Sequence, residues 1–287
     1  MCKTTTKILK NKTFEEERSL YRVNNYTIDS CLFEGKVDGE SPLKEVNYIN
    51  VINSNFSLRY AIWNANYVNV NNTIFTDKCR APFWYNYDFN ITNSQILGIK
   101  PFRECNRVNV RDCTFNSPET FWKCKNVTIS NVKMNSEYPF FECENLVISN
   151  LNMTAKYSFQ YCKNIVIKNS YLNTKDAFWH SKHITIIDSI IEGEYLAWYS
   201  KDIKFINCKI IGTQPFCKVK KLKINNSTMT NCDLSFELST VKASINGSID
   251  SIKSPRKAKI TCDSIKDIII DKTLVNPKKT KIIYRNK

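Results

Sequence analysis

With 287 residues, 42% of them of apolar type, the chain is long enough to bury a sizeable core in one large domain or two small ones. A formal net charge of +15 favours anionic partners, although a chain rich in lysine, asparagine and isoleucine also carries amino groups that are simply hydrated. The opening MCKTTTKILKNKTFEEER has no apolar core of signal-peptide length, and no run approaches the roughly 18 apolar residues of a membrane helix. A cytoplasmic protein with no membrane partner is therefore expected, its 12 cysteines reduced and its Asn-x-Ser/Thr triplets accidental.

In chain order, residues 1–25 read as an N-terminal cap, with KNKTFEEERSLY as a short helix or strand over the first turn. YTIDSCLF (26–33) is an imperfect first copy of a phrase that then recurs in register from about residue 46 to 232. KCKNVTISNVKMN (123–135), ECENLVISNLNMT (142–154) and YCKNIVIKNSYLN (161–173) show it most clearly. Its core residues are Val51, Val70, Ile91, Val110, Ile129, Ile148, Ile167, Ile186, Phe205 and Ile224. Each step is 19 except the 21 between Val70 and Ile91, where two residues are inserted. Apolar and polar residues alternate within the phrase, which is strand periodicity.

Short strands at a fixed period of about 20 residues predict an all-β solenoid, each turn lying on the one before. The leucine-rich phrase is absent, 19 is not a multiple of six, and six glycines are too few for a calcium-binding nonapeptide repeat. A right-handed parallel β-helix of about ten turns over residues 26–240 is expected, in keeping with the crossover rule. After Phe236 the period blurs, and 241–287 reads as a C-terminal cap of short strands with a basic tail, so that 1–287 forms a single domain.

Reading down the columns assigns roles. Asn126, Asn145 and Asn164 suit one corner; Asn53, Asn72, Asn93, Asp112, Asn131, Asn150, Asn169, Asp188, Asn207 and Asn226 suit another, because Asn and Asp tolerate left-handed backbone. Cys105, Cys124, Cys143 and Cys162 share a column with Ala65, Asn86, Ser181, Ser200 and Val219, which reads as small inward packing. A straight ladder of thiols gives a line rather than a tetrahedron, so no metal and no cofactor is expected.

The column after the core phenylalanines (Phe83, Phe102, Phe121 and onward) mixes Trp63, Trp84, Trp122, Trp179 and Trp198 with Arg103, Gln160 and Cys217. Beside it run Tyr85, Glu104, Lys123, Tyr161, His180, Tyr199 and Lys218; which of the two columns faces solvent is left open. Flat rings next to charged groups suit sugars, so Trp63, Trp84, Arg103, Trp122, Trp179, Trp198 and Tyr199 are candidate ligand-binding residues. Asp176 and Glu194, on adjacent turns, are candidate catalytic carboxyls, with Glu104 a third and His180 or Arg103 as proton carrier or charge stabiliser. A ladder of Lys125, Lys163, Lys182, Lys201 and Lys220 could hold a polyanion; no nucleic-acid motif accompanies it, so nucleic acid is not the expected partner.

The phrases FSLRYAIWN, CRAPFWYN, LGIKPFREC, YSFQYCKN, KDAFWHSK, GEYLAWYS, INCKIIGTQP and SIDSIKSP together resemble a mainly bacterial family, domain of unknown function three-seven-three-seven, over about residues 14–270. The resemblance implies a right-handed β-helix of the pectin lyase-like superfamily, with no established activity and no assigned catalytic residues. Members often carry a hydrogenase label, which would require paired cysteine ligands that the nineteen-spaced cysteines do not form. The superfamily's polysaccharide lyases and hydrolases suggest a carbohydrate ligand by analogy. Their NTD, DD, GHG and RIK phrases do not occur here as a set, and no Asp-rich calcium site is evident. The leading expectation is a non-catalytic β-helix that binds a carbohydrate-like ligand on its Trp/Tyr face. A polysaccharide hydrolase or lyase is one alternative; an interaction scaffold meeting another protein or its own copies is the other.

Overall fold

The computed structural model describes residues 6–35 and 40–285; residues 1–5 of the expected cap and 286–287 of the expected tail lie outside them. The turns group into two compact units, 1–146 and 147–287. Each is a parallel β-solenoid in which a residue pairs with its counterpart one turn on. In the first, the register runs Leu9, Ile28, Val51, Val70, Ile91, Val110, Ile129. In the second it runs Ile167, Ile186, Phe205, Ile224, Ala243, Ile260, Ile282.

The turns number about fourteen, more than the ten expected. The additional ones lie at the two ends, where some steps keep the period (Leu9 to Ile28 and Ile224 to Ala243, 19 each) and others depart from it: Ile28 pairs with Val51, 23 residues on; Ala243 with Ile260, 17 on; Ile260 with Ile282, 22 on. Lys7–Lys10 and Thr13–Phe14, within the expected N-terminal cap, are ladder strands, and so are Thr240–Ile245, Lys257–Cys262 and Thr280–Tyr284. The two-residue insertion falls after Phe75, since Phe56 pairs with Phe75 at the regular 19 while the Tyr60 N–H donates to the Arg80 carbonyl 20 residues on, two more than the 18 from Tyr85 to Arg103. Among the described residues the one helical element is the 3-10 turn Pro277–Lys279.

A repeating turn holds a six-residue strand such as Asn66–Asn71, a corner, a short strand such as Ile74–Phe75, a loop, and a third short segment bearing the tryptophan column. All ten residues of the second corner column have φ between 47° and 55°. Their side chains also bond along the ladder: Asn72 Nδ2 donates to Asn53 Oδ1 at 2.8 Å, and Asn226 Nδ2 to Asn207 Oδ1 at 2.8 Å. The phenylalanine column is fully buried, as in Phe102, Phe121, Phe159 and Phe178. Rings one turn apart stack, with centroids 4.7 Å apart for Phe102–Phe121 and 5.0 Å for Phe159–Phe178. These phenylalanines too are left-handed, with φ of 54° to 61°. That backbone costs a non-glycine residue about 1–2 kcal/mol, less than the roughly 3–5 kcal/mol that an excised core Phe loses.

The eleven described cysteines are buried and free. The main column has a second requirement beside small size. Cys105 Sγ donates to the Phe83 carbonyl at 3.1 Å and Cys143 Sγ to the Phe121 carbonyl at 2.8 Å; Ser181 Oγ does the same to Phe159 at 2.6 Å. Cysteine and serine interchange there because each is a small donor for a carbonyl 22 residues back.

Candidate functional site: the tryptophan edge

In the first unit, Trp84, Arg103 and Trp122 sit in register on three successive turns. Trp84 Nε1 donates to the Lys100 carbonyl at 2.8 Å and Trp122 Nε1 to the Tyr138 carbonyl at 2.9 Å, each reaching 16 residues on. Each indole is thereby bent over the next turn and half-buried. Arg103 lies between them, its guanidinium carbon 4.9 Å from the Trp84 ring centroid and its Nε 3.3 Å from Glu104 Oε1. Around Arg103 lies a shallow notch of ≈ 10 Å³, lined by Trp84 and Trp122 among others. Phe102, Lys100 and Glu119 also line it, with Lys100 Nζ and Glu119 Oε2 3.8 Å apart. Trp63 lies two turns before Arg103, against Tyr60 (4.7 Å between centroids) and under the Lys44 amino group (5.0 Å).

In the second unit, Gln160 takes the tryptophan position and its Nε2 reaches the Asp176 carbonyl at 3.4 Å, while Trp198 Nε1 reaches the Gln214 carbonyl at 2.8 Å. What Trp84, Trp122, Gln160 and Trp198 share in this column is an N–H that donates to the carbonyl 16 residues on, which accounts for the interchange of Trp and Gln; Trp179 is the exception. Trp179 and Trp198 stack with centroids 6.0 Å apart and planes 13° from parallel. The neighbouring column is the more exposed one, and it too is stacked: Tyr161–His180 at 5.1 Å and His180–Tyr199 at 5.1 Å, with Lys218 Nζ 4.9 Å above the Tyr199 ring. The ring faces in this ladder are covered by one another, so it presents edges to solvent.

Asp176 and Glu194 lie on adjacent turns, the Asp176 N–H donating to the Glu194 carbonyl at 3.0 Å. Lys175 Nζ is 3.1 Å from Glu194 Oε2. Burial pushes the Asp176 carboxyl above its usual range; Lys175 pulls it back and Glu194 adds to the rise. His180 belongs to the same unit, whereas Arg103 and Glu104 belong to the first. The column reading passed over Lys100 and Glu119, although the signal was present: they stand two periods and one period before Tyr138. Among the described residues no group of His, Cys, Asp and Glu could hold a metal ion, and no helix is long and apolar enough to cross a membrane.

Fold and edge together define a parallel β-solenoid with a half-buried aromatic ladder beside charged residues. The chain belongs to the family described as Protein of unknown function (DUF3737), whose sequence model matches residues 7–283. No curated protein matches it significantly. Among solved structures it is similar to PfbA, a surface adhesin of Streptococcus pneumoniae, at 11% identity and a TM-score of 0.33, over 89% of this chain and 70% of that one. It is also similar to QnrB1, a plasmid-mediated fluoroquinolone resistance protein, at 11% identity and a TM-score of 0.20, over 78% of this chain and 89% of that one.

Proposed function

We propose that the protein binds a polyhydroxylated, carbohydrate-like ligand on its tryptophan edge and performs no chemistry on it. The observation that supports this reading is the register of Trp84, Arg103 and Trp122 on successive turns, which sets a guanidinium between two indoles at a shallow surface notch. A pyranose offers apolar C–H groups to indole and hydroxyls to a guanidinium and to a flanking ion pair, and Lys100–Glu119 supplies that pair. A hydrogen bond to a charged group is worth about 1.5–3 kcal/mol, so Arg103→Gln is expected to weaken binding roughly tenfold or more without lowering the melting temperature. Calorimetric titration against a panel of neutral oligosaccharides tests this. Binding by none of them, or equal binding by Arg103→Gln, would sink the reading.

A glycan hydrolase is the second reading, favoured by one observation: Asp176 is held toward its protonated form while Glu194 is ion-paired. Two carboxyls whose environments differ in this way are what general-acid glycoside cleavage uses. Reducing-sugar release that Asp176→Asn abolishes would support it; no release by the intact protein would remove it.

A further inference from the structure

The long-strand face of the second unit carries charge that the fold does not require. Lys204, Lys223, Lys242, Lys259 and Lys281 form one column, each in register with the next. All but the half-buried Lys204 are exposed, and none of the five makes an ion pair among the described residues. In the first unit, positions at the same step are Asn50, Asn69, Asn90 and Asn109. There Asn69 Nδ2 donates to Asn50 Oδ1 at 3.1 Å, and Asn90 Nδ2 to Asn69 Oδ1 at 3.1 Å. A neutral residue that pairs with itself therefore serves this position. Stacked lysines instead set like charges opposite one another at about 4.8 Å, which weakens strand pairing.

A second row, Lys182, Lys201 and Lys220, runs three residues earlier, at the start of the same strands. Its acidic neighbour Asp202 is already engaged, with His183 Nδ1 2.9 Å from its Oδ2. Where Thr240 stands between Lys221 and Lys257, the face sinks into an open depression of ≈ 310 Å³ walled by Lys223, Lys242 and Lys259. No acidic or aromatic side chain lines it.

The geometry points to this face as the binding site of an extended acidic polysaccharide carrying one anionic group per sugar and lying along the lysine column. One turn of the solenoid, about 4.8 Å, is close to the length of one pyranose unit, and an extended β-1,4 chain turns each sugar over relative to the last, so the anions on one side recur about every second turn and meet alternate ammonium groups of the column. A duplex fits less well, because its phosphates wind away from a straight row. Single-stranded nucleic acid binds through aromatic platforms that this depression lacks. The face shares no residue with the tryptophan edge, so the inference stands or falls apart from the function proposed above.

The test is fluorescence anisotropy with three labelled probes: a β-1,4-linked mannuronate hexamer, the neutral β-1,4-linked mannohexaose, and a 20-base-pair DNA duplex. The hexamer is expected to bind, less tightly as salt rises, and mannohexaose is not expected to bind at this face. Lys223→Gln/Lys242→Gln/Lys259→Gln should lose at least tenfold in hexamer affinity. Lys12→Gln/Lys78→Gln/Lys133→Gln, which removes the same charge elsewhere, should stay within twofold, and so should Arg103→Gln. No hexamer binding, equal loss in the two lysine variants, or tighter duplex binding through the same three lysines would overturn the inference. A loss confined to Arg103→Gln would overturn it too and would place the acidic chain on the tryptophan edge.

Discussion

Trp179 and Trp198 are stacked neighbours that differ in the fate of one hydrogen atom. The Trp198 N–H is satisfied by the Gln214 carbonyl, whereas the Trp179 N–H is buried with no acceptor among the described residues. An unmet buried donor costs roughly 1–3 kcal/mol, and losing a made bond costs about 1 kcal/mol. Both Trp→Phe changes remove similar volume, so Trp179→Phe should be less destabilising than Trp198→Phe by about 1 kcal/mol or more in urea unfolding; the reverse order would contradict this. Burial acts on the thiols in the same way: it raises Cys113 to about 11 and Cys232 to about 12 from an ordinary 9.0. An acid held neutral by folding contributes its full stability below the unfolded value and loses it as pH climbs through the folded one. Stability should therefore fall from about pH 9 upward. Cys113→Ser, which matches Ser170 and Ser189 in the same column, should remove roughly 3 kcal/mol of that fall between pH 9 and 11. An unchanged pH profile in that variant would count against buried thiol ionisation as the cause.

At the scale of the element, the corners separate into two kinds. The Asn/Asp corner was legible in the sequence because these residues accept left-handed backbone and bond locally. Asn131, at φ 53°, should tolerate Gly with little loss and should lose about 1–2 kcal/mol or more as Val, by calorimetric melting; equal melting of the two variants would be inconsistent with the backbone argument. The left-handed phenylalanines were not legible as such. Phe121 reads correctly as core, yet nothing in local propensity places a bulky aromatic at φ 54°; packing between stacked rings selects it over propensity. Phe121→Ala is accordingly expected to cost about 3–5 kcal/mol, and Phe121→Gly, despite its freer backbone, no less. The tryptophan column shows the same limit. Its mixture of Trp and Gln reads as a partly exposed face, while the reason for the mixture, a shared N–H aimed 16 residues on, depends on how the next turn lies.

Across the whole molecule, the regular nineteen-residue steps carried the fold, and the irregular ones hid part of it. Turns whose loops depart from the period escaped a fixed step: Ile28–Val51 read as an imperfect copy, and Ala243–Ile260 and Ile260–Ile282 read as part of a cap. The lysine column was missed for a related reason: only its first three members keep the step, and Lys259 and Lys281 join it through turns of 17 and 22 residues. Every reading of the site presumes that residues one turn apart in sequence touch in space. Methyl-selective NMR tests that most directly. Cross-peaks are predicted between Val110 and Ile129 and between Ile167 and Ile186, residues that touch only if consecutive turns stack. Absence of both nineteen-residue contacts in a folded sample would contradict the solenoid and everything placed on it.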